Sequence, residues 1–247
     1  MLLKPHSLPL QLLALSIVPL SAATAATAAS GPALDAAVRQ RAELLVRNGS
    51  NASIVIAVTD GKNSAVYGFG RARPDSNTVP DADTVYEIGS VTKTMTGLLL
   101  ADAVVAGKAR LDQPVADLLP GYTIPAFEGQ KISLLDLATH FSGLPRLPAN
   151  LAPADMSNPY AEYGDAQLRA FLSSHALAHR PGTVFDYSNL AYGLLGTALA
   201  AQAGTNYEDL LQSQIARPLG LRSTSTTATP AMLARHAQGH SSDGKPA

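Results

Sequence analysis

The sequence predicts an α+β chain: an antiparallel sheet, of which only an N-terminal hairpin is clearly present, packed with a helical region. Three observations carry that expectation. Two β-branched and aromatic runs, Ser53 to Thr59 and Ser64 to Gly70, flank Asp60-Gly61-Lys62-Asn63, the turn chemistry of a hairpin. A long apolar run from Val91 to Ala106 stops at Gly107-Lys108, where glycine can take the left-handed cap of a helix. Further helical segments follow, and no comparable strand does.

At the N-terminus, Lys4 precedes an apolar run from Leu8 to Leu20, and Ala23-Thr24-Ala25 and Ala26-Thr27-Ala28 both fit an A-x-A cleavage pattern. That is the signature of a signal peptide over residues 1–28, so a secreted or periplasmic chain is expected. Pro9 and Pro19 bracket a stretch shorter than the roughly 20 apolar residues of a membrane anchor, so no stable span is expected after cleavage. One domain is expected over 29–240, followed by a polar tail over 241–247.

Leu34, Val38, Ala42 and Leu45 recur at helical spacing until Asn48-Gly49 breaks the pattern, which predicts an amphipathic first helix. The hairpin comes next, and since an isolated hairpin is marginal it needs more strands or a helix to cover it. The run from Val91 to Ala106 is apolar all round, so that helix is expected to be buried. Helices are also predicted at Ser133 to Thr139, Asp165 to Ala178, Asn189 to Ala203 and Tyr207 to Ile215, joined by loops such as Pro145 to Pro159.

Composition narrows the function classes. Hydrophobic residues form 46% and charged residues 15% of the 247, against a usual charged share of roughly a quarter, which excludes a disordered chain. Lysine and arginine number 18 against 19 aspartates and glutamates, so there is no basic surplus for a phosphate backbone and no nucleic-acid partner is expected. With no cysteine, disulfides, thiol nucleophiles and thiolate metal sites are excluded. A nucleophile must come from oxygen or nitrogen.

Ser90-Val91-Thr92-Lys93 puts a hydroxyl at the start of the predicted buried helix and an amine three residues on, on the same face. A serine hydroxyl attacks only when a base takes its proton, and a lysine desolvated by burial can serve. Ser242 to Lys245 repeats the spacing in a polar tail with no such helix, so context separates the two. Tyr187-Ser188-Asn189 directly precedes an apolar helix. A phenol beside a cation offers a second proton-shuttling oxygen, and the asparagine amide can bind both a lysine and a substrate amide. Ser188 or Asn189 can equally be a helix cap.

His175 with His179, and His236 with His240, stand four apart, but no H-E-x-x-H and no third ligand accompany them; solvated surface histidines are expected, with no metal and no cofactor. The G-x-S-x-G elbow is absent, and the nearness of Asp136 to His140 in sequence does not make a triad.

Together these residues resemble the serine penicillin-recognising enzymes, in particular class C β-lactamases and related D-alanyl-D-alanine carboxypeptidases and esterases, the Tyr-x-Asn element being similar to the class C branch. The likeness extends through Tyr86 to Leu100, Gly107 to Pro120, Ile132 to Pro145, and Tyr187 up to Thr224. Ala138-Thr139-His140 and Tyr187 to Ala191 look closest to carboxypeptidase/endopeptidase members.

The resemblance implies a β-lactamase/transpeptidase-like fold. It implies Ser90 as acylated nucleophile, Lys93 as its base and hydrogen-bond partner, Tyr187 as general base and acid, and Asn189 as substrate clamp. A small-molecule β-lactam or a peptidoglycan peptide is the implied partner; oligomeric state stays open. The loop His140 to Pro145 is read as structural support without a catalytic role. No Lys-Thr-Gly or similar triad follows Asn189. With the shortage of strands, that leads to the expectation of a chain shortened at its C-terminus, and of an alternative in which it is a weak or inactive remnant acting as a binding module.

Overall fold

A computed structural model describes residues 31–156 and 158–240. The expected leader, the second Ser-x-x-Lys pattern and the polar tail lie outside the described residues.

Helix α1 (Ala36–Arg47) begins where the Asp35 carboxylate accepts the N–H groups of Ala37 and Val38, supplying partners that the first helical turn lacks. It ends before Gly49, whose φ of 76° lies in the left-handed region. Strands β1 (Ser53–Thr59) and β2 (Ser64–Gly70) pair antiparallel, with Ser53 opposite Gly70 and Thr59 opposite Ser64. These are the bounds that the sequence predicts. Asp60 fixes the turn by accepting the N–H groups of Lys62 at 2.9 Å and Asn63 at 2.8 Å.

A 3₁₀ turn (Gly89–Val91) leads into helix α2 (Thr92–Val105). Gly107 caps it at φ 68° while the Lys108 N–H returns to the Ala103 carbonyl at 2.8 Å, the closure expected of a glycine cap. The expectation that this helix is buried needs correction. Thr96, Leu99, Leu100 and Ala103 face inward, yet Val91, Leu98 and Val105 are 56%, 48% and 88% exposed. Their seven-residue spacing puts them along one side of the helix. A segment apolar all round carries no periodicity to say which face is covered; the neighbours decide that.

The short strands β3 (Ala126–Phe127) and β4 (Gln130–Lys131) form a second two-stranded sheet that the sequence reading did not foresee. Two residues per strand are too few for alternation to register. Helix α3 (Leu134–Ala138) starts with a capping box between Ser133 and Asp136. Helix α4 (Asp165–Ser174) is shorter than predicted, because His175 already adopts an extended backbone with ψ 133°. Helix α5 (Asn189–Gln202) and helix α6 (Tyr207–Leu211) follow, α6 running on into a π-helical turn (Gln212–Ala216). A last short helix, α7 (Pro230–Leu233), was not predicted, although Thr229-Pro230 is a helix-start signature.

The core lies around α5. Leu194, Leu195 and Ala198 are fully buried, and packed with them are Leu99 and Leu100 of α2, Leu134 and Leu137 of α3, and Leu210 and Leu211 of α6. Each fully buried leucine contributes about 1.5–3 kcal/mol relative to exposure. The hairpin joins this body through the contact of Ser53 Oγ with Tyr86 Oη at 2.9 Å, four residues before Ser90.

Candidate active site

The site is assembled from two chain segments almost a hundred residues apart. Gly89 takes a φ of 49°, a conformation that costs glycine little, and delivers Ser90 to the first turn ahead of α2. Lys93 sits one turn on. Its Nζ is 3.2 Å from Ser90 Oγ and 2.8 Å from Asn189 Oδ1. Tyr187 Oη lies 2.8 Å from Ser90 Oγ. All four residues singled out in the sequence therefore converge, and the Ser90 hydroxyl stands between an amine and a phenol.

The Tyr-Ser-Asn element serves two purposes at once. Ser188 is the N-cap of α5: its Oγ accepts the Ala191 N–H at 2.9 Å and donates to the Pro145 carbonyl at 2.7 Å. The N–H groups of Asn189 and Leu190 go to the Arg146 carbonyl at 3.0 and 3.3 Å. Capping and site formation were alternatives in the sequence; here the cap sits between the two candidate side chains, Tyr187 and Asn189, and fixes the backbone from which both project.

The Tyr187 phenol is held below its ordinary value, first by its hydrogen bond with the Lys93 ammonium and then by that with Ser90, with the charges of Lys93 and Arg146 acting in the same sense. Lys93 Nζ is 4.7 Å and the Arg146 guanidinium 5.1 Å from the centre of the Tyr187 ring. The expectation that serine and lysine sit away from bulk water is only partly met. Lys93 is half-buried, and Ser90 is exposed at the mouth of the cleft. The cleft, about 480 Å³, is lined by Ser90, Lys93, Tyr160, Asn189, Tyr192 and Gly193 among others. A second hollow of about 360 Å³ adjoins it through Tyr160, Asn189 and Gly193. The hairpin contributes nothing to either wall, so the cleft lies within the helical body and not between body and sheet.

The other candidates separate. The helix that was to pair His175 with His179 ends before both; His175 stacks on Phe171 at 4.7 Å, and its Nε2 is buried without a partner. It is therefore half-buried packing and not a solvated surface group. His236 lies 3.9 Å from Glu87. The Asp136 carboxylate accepts hydrogen bonds from the Ser133 N–H and hydroxyl. Among the described residues no three His, Asp or Glu are grouped to hold a metal ion, and no helix is long and apolar enough to cross a membrane.

Two contributors, Arg146 and Tyr192, have no counterpart in the sequence expectations. Arg146 acts through a backbone carbonyl and a cation over a ring. Tyr192 comes within 5.5 Å of Lys93 Nζ by its ring centre; its place one turn after Asn189 was the available signal. His140, expected from the sequence to belong to a supporting loop, touches the Tyr187 segment.

A helical body with small antiparallel sheets, and serine, lysine, tyrosine and asparagine linked by hydrogen bonds around one hydroxyl, defines the class: the β-lactamase/transpeptidase fold. The chain belongs to the Beta-lactamase family, whose profile matches residues 34–247. It is 37% identical over 186 residues to the D-alanyl-D-alanine-carboxypeptidase/endopeptidase AmpH of Escherichia coli (strain K12), covering 74% of this chain and 47% of that protein. It is 30% identical over 204 residues to a Beta-lactamase of Pseudomonas fluorescens, covering 83% of this chain and 54% of that one. Among solved structures, the Beta-lactamase/D-alanine carboxypeptidase of Yersinia pestis complexed with citrate superimposes with a TM-score of 0.74 at 30% identity, over 85% of this chain and 62% of that one. The chain thus spans about half the length of the curated relatives it matches.

Proposed function

We propose that the chain is a serine hydrolase that forms an acyl-enzyme at Ser90 with β-lactams or D-alanyl-D-alanine peptides. The observation that carries this reading is the placement of Ser90 Oγ 2.8 Å from a phenol whose proton is loosened by a neighbouring ammonium. Ionised Tyr187 takes the Ser90 hydroxyl proton as Oγ attacks the substrate carbonyl carbon. The C–N bond then breaks, and Tyr187 returns that proton to the leaving nitrogen. Attack of water on the resulting ester releases the acid and restores Ser90.

Lys93 acts as the charge that steadies the phenolate and as a hydrogen-bond donor to Ser90. Asn189 uses its carbonyl oxygen on Lys93 and keeps its NH₂ group as a donor for the substrate amide. The Ser90 N–H, in the first turn of its helical segment and so without an intrahelical acceptor, is one donor to the oxyanion. The leader over 1–28 would deliver the chain to the periplasm or the exterior, where the domain over 29–240 would meet these substrates.

The test is intact-mass measurement after mixing the protein with a penicillin. One adduct per chain, absent from Ser90→Ala, is the expected result. An adduct that persists in Ser90→Ala, or a folded wild-type chain that takes none, overturns the acyl-enzyme reading and leaves the binding-module alternative.

A further inference from the structure

We propose that His140 is a positioning residue for the Tyr187 phenol, clamping the main chain on both sides of residue 187, and that it does so only as an uncharged ring. This deepens the acyl-enzyme reading and rests on it for its functional consequence.

The clamp has two jaws. The His140 carbonyl accepts the N–H of Asp186 at 2.8 Å, and His140 Nδ1 accepts the N–H of Ser188 at 3.1 Å. Residue 187 lies between these two anchors, and the imidazole stands against its ring at 4.4 Å between centres. Tyr192 at 5.0 Å and the edge of Phe185 at 5.8 Å close round the same imidazole. His140 has a φ of 64°, a left-handed conformation in which His and Asn are enriched and β-branched residues are rare. That backbone turn lets carbonyl and ring of one residue reach Asp186 and Ser188 together.

A ring nitrogen that accepts a hydrogen bond must carry a lone pair, so the proton resides on Nε2 and the ring is neutral. Protonation at Nδ1 would set two N–H groups head to head and open one jaw. The groups facing the ring are Lys93 from α2, Arg146 across the Tyr187 ring, Tyr192 from α5, and Asp186 and Tyr187 from the segment before α5. Burial first, and then the Lys93 charge, hold His140 below the ordinary histidine value, with Asp186 opposing. The clamp is therefore closed at neutral pH and is released as pH falls through that lowered value.

The experiment compares wild type with His140→Leu, which keeps bulk but loses the acceptor, and His140→Asn, which tolerates the backbone and restores an acceptor oxygen. NMR of the imidazole nitrogens reports the tautomer. NMR of tyrosine ring-carbon labels, assigned with Tyr187→Phe, follows the titration of the phenol. Stopped-flow acylation by a penicillin separates non-covalent binding from the chemical step.

The expected results are an unprotonated Nδ1 at neutral pH and, in His140→Leu, a Tyr187 titration moved up toward the free phenol. The acylation step should slow about ten- to a hundredfold, as for a misplaced catalytic group, with penicillin binding unchanged and most of the loss recovered in His140→Asn. A protonated Nδ1, or a Tyr187 titration identical in His140→Leu and wild type, overturns the proposal. Should His140→Leu not fold, the tautomer in wild type and the titration in His140→Asn still decide. If the wild type takes no adduct, the acyl-enzyme reading fails, and the tautomer and titration still judge His140.

Discussion

The helical body around α5 and the unit formed by α1, β1 and β2 are stabilised very differently. In the body, Leu134, Leu137, Leu194 and Leu195 are wholly buried and belong to one continuous core. In the hairpin unit only small or single residues such as Ala42, Ala65 and Phe69 are buried, while Ile54 and Ile56 are half-buried and Val38, Leu44 and Val66 are exposed. Ser90, Lys93, Tyr187 and Asn189 all lie on the body. The proposed chemistry thus rests on the part of the molecule that packs best.

The sharpest way to break that contrast is a pair of truncations. Leu194→Ala should cost about 2–5 kcal/mol in urea unfolding, since a fully enclosed site leaves a cavity. Ile54→Ala should cost at most about 1.5 kcal/mol, because only part of its burial energy is at stake. Equal losses would show the hairpin to be as well packed as the body. Amide exchange followed by mass spectrometry should likewise be faster in β1 and β2 than in α5.

A smaller effect is expected where the two purposes of Ser188 meet. Ser188→Ala removes an N-cap and should destabilise the protein by about 1 kcal/mol. It should also slow penicillin acylation beyond what that loss explains, because the start of α5 carries Asn189. Acylation at the wild-type rate would separate cap from site.

The smallest effect belongs to pH. Burial pushes Glu208 up, but hydrogen bonds from the Thr226 hydroxyl and N–H, from Ser225 and from Gln212 outweigh it and hold the carboxyl below its ordinary 4.5. A lowered carboxylate contributes stability that is full above the unfolded value and is lost as pH falls through the folded one. Exchange protection near Thr226 should therefore fade below about pH 4.5 in wild type, from the carboxylate value that applies unfolded, and be reduced already at neutral pH in Glu208→Gln.

Much of this was legible in the sequence. The hairpin bounds follow from two β-branched and aromatic runs on either side of an Asp-Gly turn, and α5 from an apolar run behind a cap residue. Ser90 and Lys93 could be paired because helical spacing brings positions three apart together, whatever the tertiary fold. Tyr187 needed its asparagine neighbour to stand out among eight tyrosines. The covered face of α2 could not be read, since an apolar residue looks the same on either side. Arg146, and the particular contacts by which His140 supports its surroundings, leave no mark in the sequence for a common reason: what they contribute passes through backbone carbonyls and ring placement, which no residue-type pattern records. The length of α4 was overestimated because residues up to Ala178 suit a helix, whereas the stacking of His175 on Phe171 accompanies an extended turn.

Asn189 is the first residue of α5, and α5 is the most enclosed element of the body. The Asn189 amide is thereby geared to the interior: a slip of the helix by one residue's rise, about 1.5 Å, would carry it out of reach of the Lys93 amine. Interior substitutions along α5 should thus act as a tuning screw on reactivity even where they lie far from the mouth of the cleft.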